Sequence, residues 1–192
     1  FYTDTRIPEQ LLRIYAQGIT EAGKKALDAL LLFSSAVDST WKAMDQHIIF
    51  IKTIAAQLKE AILKEGMYQN VTEEADLEFS RLICKIGMVL PLQHFISDRT
   101  AIEFFEAIKQ YTHDRFTQMK FGEENTNSQT ICSYMLTFWG RTALICSASP
   151  QSYDEGLLSI FPLIFSVFVE SYLNNIIEYA DLPKSFEDPE TI

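Results

Sequence analysis

Glycine, proline and cysteine are scarce in this sequence, with 7, 6 and 3 copies among 192 residues. It has no glycine-rich phosphate loop and no Gly-x-Ser-x-Gly elbow. The metal-binding motif His-Glu-x-x-His and the motif Cys-x-x-Cys are absent as well. Cys84, Cys132 and Cys146 each lie in an apolar helical pattern, which predicts buried thiols of a reducing compartment rather than a zinc site. We therefore expect no cofactor, no metal and no enzymatic activity.

An excess of basic charge is also lacking. The sequence has 16 basic and 26 acidic side chains, which gives a net charge of −10. This balance argues against direct nucleic-acid binding, which depends on neutralising phosphates, but it permits basic protein partners. The acidic clusters are typical of solvated surface, and they are also the candidate partner-binding residues: Glu73, Glu74, Asp76, Glu123, Glu124, Glu187 and Asp188.

No apolar run is long enough to suggest membrane insertion. The charge-free stretch from Gly156 to Val169 is shorter than the about 20 residues that a spanning helix needs, and it contains Pro162. The pattern of the whole segment 152–180 predicts one helix whose polar residues form a single narrow stripe. We therefore expect this helix to be packed on most of its circumference. Pro162 predicts either a bend or a helix that starts near Phe161.

Period-two alternation is absent too, and apolar residues recur at helical spacing instead. We predict core positions at Ile102, Ile145, Trp41 and Trp139, and a solvated His47. Glu103 and Glu106 could present paired carboxylates, although a solvated helix face explains them better. The predicted helices run from Pro8 to Gly18, Thr20 to Val37, Met44 to Glu65, Thr72 to Pro91, Asp98 to Phe121, Ser128 to Cys146 and Ser152 to Ala180.

Short loops make successive helices antiparallel neighbours, so the fold class is all-α. A closed bundle and an open stack of helical hairpins both fit. The starts near Met44, Asp98 and Ser152 recur about every 50 residues, somewhat longer than the ~40–47 residues of helical-hairpin repeats. We predict one segment over residues 1–192, an α-solenoid of about three and a half stacked HEAT-like hairpins.

Three stretches add a family resemblance. Leu77–Ile86, Tyr134–Arg141 and a hairpin from Leu12 to Trp41 are similar in cadence to helices of the exportin 7 family of nuclear transport receptors, also called Ran-binding proteins 16 and 17. The proline-bearing 160–164 and the acidic loop 187–189 follow the same pattern. The resemblance extends from about Leu11 to Pro189, and residues 91–127 depart from it most.

This resemblance implies a superhelical receptor of the importin-β type, of which the chain would be an internal fragment. The implied partners are the GTP form of the Ran GTPase, protein cargo and Phe-Gly nucleoporins, and the implied location is the nucleus, the cytoplasm and the nuclear pore. One alternative is a generic HEAT or armadillo-like interaction scaffold with another partner. Another is an all-helical enzyme, which would need a hydrophobic cavity with convergent polar groups.

Overall fold

A computed structural model of the chain describes residues 6–16, 21–35, 41–63, 73–90, 94–118, 126–148 and 158–181. All regular secondary structure in these ranges is helical, which confirms the all-α prediction. The helices are α1 (Arg6–Ala16), α2 (Glu21–Ser35), α3 (Trp41–Leu63), α4 (Glu73–Val89), α5 (His94–Ser97), α6 (Arg99–Gln118), α7 (Thr126–Ala148) and α8 (Ile160–Asp181).

The long helices form two layers. Helices α1, α3, α6 and α8 pack side by side in that order in the first layer, and α2, α4 and α7 do the same in the second. Each first-layer helix up to α6 also packs on the helix that follows it in the second, as α1 on α2, α3 on α4 and α6 on α7. The described helices are therefore stacked hairpins of the HEAT-like kind, with α8 as a further first-layer helix.

The core lies between the two layers, and α6 and α7 meet there through a group of aromatic side chains. Phe105 stands edge-on to both Phe138 and Trp139, with ring centroids 6.3 and 5.2 Å away. Trp139 is fully buried and also contacts Phe161 of α8, so the expected core anchor is confirmed. The side chain of Trp41, the other expected anchor, lies outside the described residues.

The start of α6 follows the expected capping chemistry. The Asp98 Oδ1 atom accepts a hydrogen bond from the Ala101 backbone N–H at 3.0 Å, which satisfies a donor of the first turn. Its other carboxylate oxygen accepts from Lys52 Nζ at 2.9 Å, so the cap also joins α6 to α3. The preceding short helix α5 has too few residues for a periodic pattern, and the sequence did not predict it.

Pro162 is the third residue of α8, which begins at Ile160. The backbone N–H that proline lacks has no intrahelical partner in a first turn, so the residue is tolerated there. This outcome matches the expected start near Phe161 and removes the need for a bend.

Three burial predictions were wrong. Ile102 and Ile145 were expected to face the core, but they are 38% and 40% exposed. His47 was expected in solvent and is 5% exposed, because it lies on the side of α3 that carries Ile51 and Ile54 into the core.

The fourth error concerns α8, whose described side chains (161–174) are packed along one stripe instead of most of the circumference. Ile164 and Ser171 are buried and Phe161, Val167 and Phe168 are partly buried, all at helical spacing. The apolar residues that remain exposed on α8 include Leu163, Val169 and Leu173. Among the described helices, α6 supplies most of its packing.

Candidate protein-interaction surface

The second layer carries a surface groove of about 620 Å³, which we call the second-layer groove. One stripe from each of its three helices lines it, at the three- and four-residue spacing that places side chains on one helix face. The lining residues are Asp28, Leu31 and Leu32 of α2, Arg81, Cys84, Lys85 and Met88 of α4, and Ser133, Tyr134 and Thr137 of α7.

The groove is open to solvent and not an enclosed cavity. Five of its ten lining residues are exposed, and among them Leu32 is 68% exposed. Cys84 is the only fully buried residue of the ten, and it lies on the floor. An open groove of this kind suits a surface partner better than a small ligand, which most binding sites bury by about 70–90%.

Two of the three charged residues in the described lining of the groove are basic. Arg81 and Lys85 stand one turn apart on α4, and Asp28 is the one acidic side chain among the lining residues that the structure describes. Arg81 reaches Glu78 at 3.4 Å, and its side chain is 54% exposed. Lys85 makes no ion pair with any residue that the structure describes. The groove therefore offers cationic groups with spare bonding capacity on a chain whose net charge is −10.

A polar network holds the inward side of α4 against α6. The Arg115 Nη1 atom donates to Asp76 Oδ2 at 2.8 Å, and the Tyr111 hydroxyl donates to Asp76 Oδ1 at 3.1 Å. Ser80 lies 2.5 Å from the same hydroxyl, and the Arg115 guanidinium sits 4.9 Å from the Tyr111 ring centroid. These contacts are directional, so they fix the register of α4 and with it the position of the groove stripe.

The network shifts the ionisation of its members. Burial raises the pKa of the Asp76 carboxyl above its ordinary value of 3.8, because the attraction of Arg115 and the hydrogen bond from Tyr111 offset only part of the desolvation. Burial and the nearby Asp76 carboxylate raise the pKa of Tyr111 well above its usual range. Neither group is placed to exchange protons with an external substrate, because Tyr111 is fully buried and Asp76 is engaged through both oxygens.

A second set of polar contacts joins α3 to α6 at the surface. Glu103 accepts from Lys59 Nζ at 2.8 Å and from Arg99 Nε at 2.7 Å. These two hydrogen bonds lower the pKa of the Glu103 carboxyl. Glu106 pairs with Lys109. The two carboxylates are thus occupied by separate cations and form no paired acid–base site.

Of the seven residues predicted to form an acidic partner surface, Asp76 is the one whose side chain the structure describes. That side chain is 14% exposed and forms an ion pair with Arg115. Asp76 is therefore not the free surface carboxylate that was expected, because α4 turns it towards α6. The side chains of Glu73 and Glu74, and the residues Glu123, Glu124, Glu187 and Asp188, lie outside the described part of the chain. For these six the partner-binding role stays a prediction.

The cysteines are buried, as expected. All three are free thiols. Burial raises the pKa of Cys84 beyond the range of a reactive thiol and that of Cys132 to about 12. Within the described ranges, no group of three His, Cys, Asp or Glu side chains is arranged to hold a metal ion. None of the described helices has the length and apolar content required to cross a bilayer.

Sequence reasoning missed the second-layer groove. Its residues come from three helices that are distant in the sequence, and each stripe alone looks like an ordinary exposed helix face. The available signal was the combination of basic and apolar residues at Arg81, Lys85 and Met88, on one face of α4. That signal becomes specific only when α2 and α7 are placed beside α4.

Comparison of the chain with protein-family models, with curated proteins and with solved structures finds no match.

Proposed function

We propose that the chain is a helical-repeat scaffold that binds other proteins through its surface. The observation that supports this most directly is the second-layer groove, which is open and lined by both apolar and charged side chains. Stacked hairpins favour such a role because each repeat contacts its neighbours and leaves a continuous surface on each layer.

Within this class, we favour a nuclear transport receptor of the exportin 7 kind. The support is the sequence resemblance along Leu77–Ile86 and Tyr134–Arg141, two stretches that fall within α4 and α7, neighbours in the second layer. In that form of the proposal the partners are Ran–GTP, protein cargo and Phe-Gly nucleoporins, and the protein shuttles between nucleus and cytoplasm through the pore.

The proposed mechanism is a change in the curvature of the stack. Small changes in packing between neighbouring hairpins add up along a solenoid, and a partner that prefers one curvature shifts the population towards it. The ion pairs Lys52–Asp98 and Lys59–Glu103 join neighbouring first-layer helices, so they lie where such a change would act. Coupling between Ran and cargo then follows from their shared preference for one curvature.

The test is retention of purified Ran on the immobilised full chain, with Ran loaded with a non-hydrolysable GTP analogue or with GDP. We expect retention of the GTP form alone. Equal retention of both forms, or retention of neither, would overturn the exportin form of the proposal. The general scaffold would then depend on whether the second-layer groove binds a partner.

A further inference from the structure

We infer that the second-layer groove binds an acidic amphipathic helix of a partner protein, with apolar side chains on the groove floor and carboxylates on Arg81 and Lys85. This inference rests on the proposed scaffold function and names the class of partner for one of its surfaces. It differs from the expectation from overall charge, which favoured a basic partner.

The sign of the charge in the groove argues for an acidic partner. Among the described lining residues, Arg81, Lys85 and Asp28 sum to a net charge of +1, whereas the whole chain carries −10. A carboxylate that approaches Lys85 meets an ammonium group with no ion-pair partner among the described residues, so it displaces no existing pair. Charge complementarity at a rim selects partners and speeds their association, and like charges are rejected.

The apolar part of the groove argues for side-chain anchors. Leu32 is 68% exposed, and Leu31, Met88 and Tyr134 of the same lining are each partly exposed. Methionine and tyrosine are enriched at protein interfaces, methionine because its flexible thioether adapts to the shape of a partner. A cluster of this composition gains free energy when a partner's apolar side chains remove it from water.

The shape argues for a helix. The groove follows stripes of three packed helices and has exposed residues at its margins, so an occupant is enclosed on one side only. An amphipathic helix meets this geometry by placing apolar residues at i, i+3 or i+4 and i+7 into the groove and keeping its other face in water. Its acidic residues, one turn away, then reach the basic residues of α4.

The experiment uses a fluorescein-labelled peptide of about 15 residues, near the minimum length for an isolated helix. The peptide carries leucines at i, i+3, i+7 and i+10 on one face, with glutamates on both flanks of this face. In a comparison peptide every glutamate is replaced by lysine. We expect fluorescence anisotropy to show that the full chain binds the glutamate peptide at least about tenfold more tightly than the lysine peptide.

The matched variants reverse the charge of the groove and of a remote site. In the double variant Arg81→Glu with Lys85→Glu we expect the glutamate peptide to lose about tenfold or more in affinity, and the lysine peptide to become the better ligand. Arg99→Glu changes the same kind of charge at a side chain that is 92% exposed on α6, outside the groove, and should leave the preference unchanged. A far-UV circular dichroism melt checks that each variant is folded.

A third variant, Leu32→Ser, tests the apolar part of the groove without adding a charge. Because Leu32 is 68% exposed, the fold should tolerate the change, and both peptides should bind about tenfold more weakly. Three outcomes would overturn the inference. The two peptides bind equally well, or the glutamate peptide does not bind up to about millimolar concentration, or Arg99→Glu loses as much affinity for the glutamate peptide as the double variant does. None of these outcomes bears on nucleotide-dependent retention of Ran, so the two proposals fail separately.

Discussion

Helices α4 and α8 show that burial is decided by neighbours and not by composition. The sequence of α8 is the more apolar of the two, because α4 includes three glutamates, an aspartate and an arginine among its first nine residues. Yet four core residues of α4, Phe79, Leu82, Ile83 and Ile86, are fully buried, whereas Leu173 of α8 is 51% exposed.

The physical cause is the number of sides on which each helix is packed. Helix α4 packs on α2 and α7 in its own layer and on α3 in the other, whereas α8 packs mainly on α6. A helix with several neighbours buries more than one stripe, and even its polar residues are drawn into contacts. Asp76 and Ser80 of α4 are examples, because both are held by Tyr111 of α6.

The largest expected effect comes from the same truncation in the two helices. Leu82→Ala removes a fully buried side chain and leaves a cavity, so we expect a loss of about 3–5 kcal/mol in the free energy of unfolding. Leu173→Ala on α8 should change it by no more than about 0.5 kcal/mol, because the side chain is half in water already. Urea denaturation of both variants measures the difference.

A cost at Leu173 that approached the cost at Leu82 would contradict the comparison. It would mean that the exposed face of α8 is covered in solution. Sedimentation of the wild-type chain at several concentrations then distinguishes self-association from a monomer with a covered face.

A smaller effect is expected at two glycines. A Cβ atom at Gly87 of α4 would lie 2.7 Å from Phe138 Cε2 and 3.2 Å from Ile108 Cδ1. Both neighbours are fully buried, so we expect Gly87→Ala to destabilise by about 1–3 kcal/mol, despite the gain in helix propensity of about 1 kcal/mol.

The matched control is Gly140 on the exposed side of α7. A Cβ atom there would meet no other described residue within 4 Å, its own helical turn aside. Gly140→Ala should therefore stabilise by about 0.5–1 kcal/mol, and thermal melts of the two variants should shift in opposite directions. Shifts of the same sign would show that α4 and α7 are not as closely packed as the structure has them.

Much of the fold followed from the sequence, because apolar spacing and caps are local signals. The position of Asp98 at the start of α6 and the buried faces at Leu58 and Leu82 are examples. One of the two interpretations of Pro162, a helix that starts near Phe161, also agrees with the structure. These signals depend on the chain within one or two turns: they identify the apolar side of a helix, and the neighbouring helices then bury that side.

The rest depended on which helices are neighbours. The expectation that α8 would be packed on most of its circumference was not met among the described residues, because α6 is the main helix that packs on it. Asp76 looked like one member of an acidic surface cluster, but its partner Arg115 lies 39 residues further along the chain. The sequence did not predict the second-layer groove for the same reason, since the groove forms only when α2, α4 and α7 pack together.

The smallest expected effect separates buried from exposed carboxylates by the sign of their pH dependence. The folded-state pKa of Asp76 is raised, so its contribution to stability is fully present below the unfolded value of 3.8 and is lost as pH rises through the folded pKa. The folded-state pKa of Glu103 is lowered, so its contribution is present above the unfolded value of 4.5 and is lost as pH falls.

Urea denaturation between about pH 3 and pH 6, which brackets ordinary carboxyl pKa values, tests both signs. Relative to the wild type, the cost of Asp76→Asn should shrink as pH rises, because the amide does not ionise in its buried site. The cost of Glu103→Gln should grow over the same range, but only slightly, since this carboxylate is screened by solvent. If the costs of the two substitutions changed with pH in the same direction, the attraction of Arg115 would outweigh the desolvation of Asp76. The Asp76 carboxylate would then stay ionised in its ion pair with Arg115.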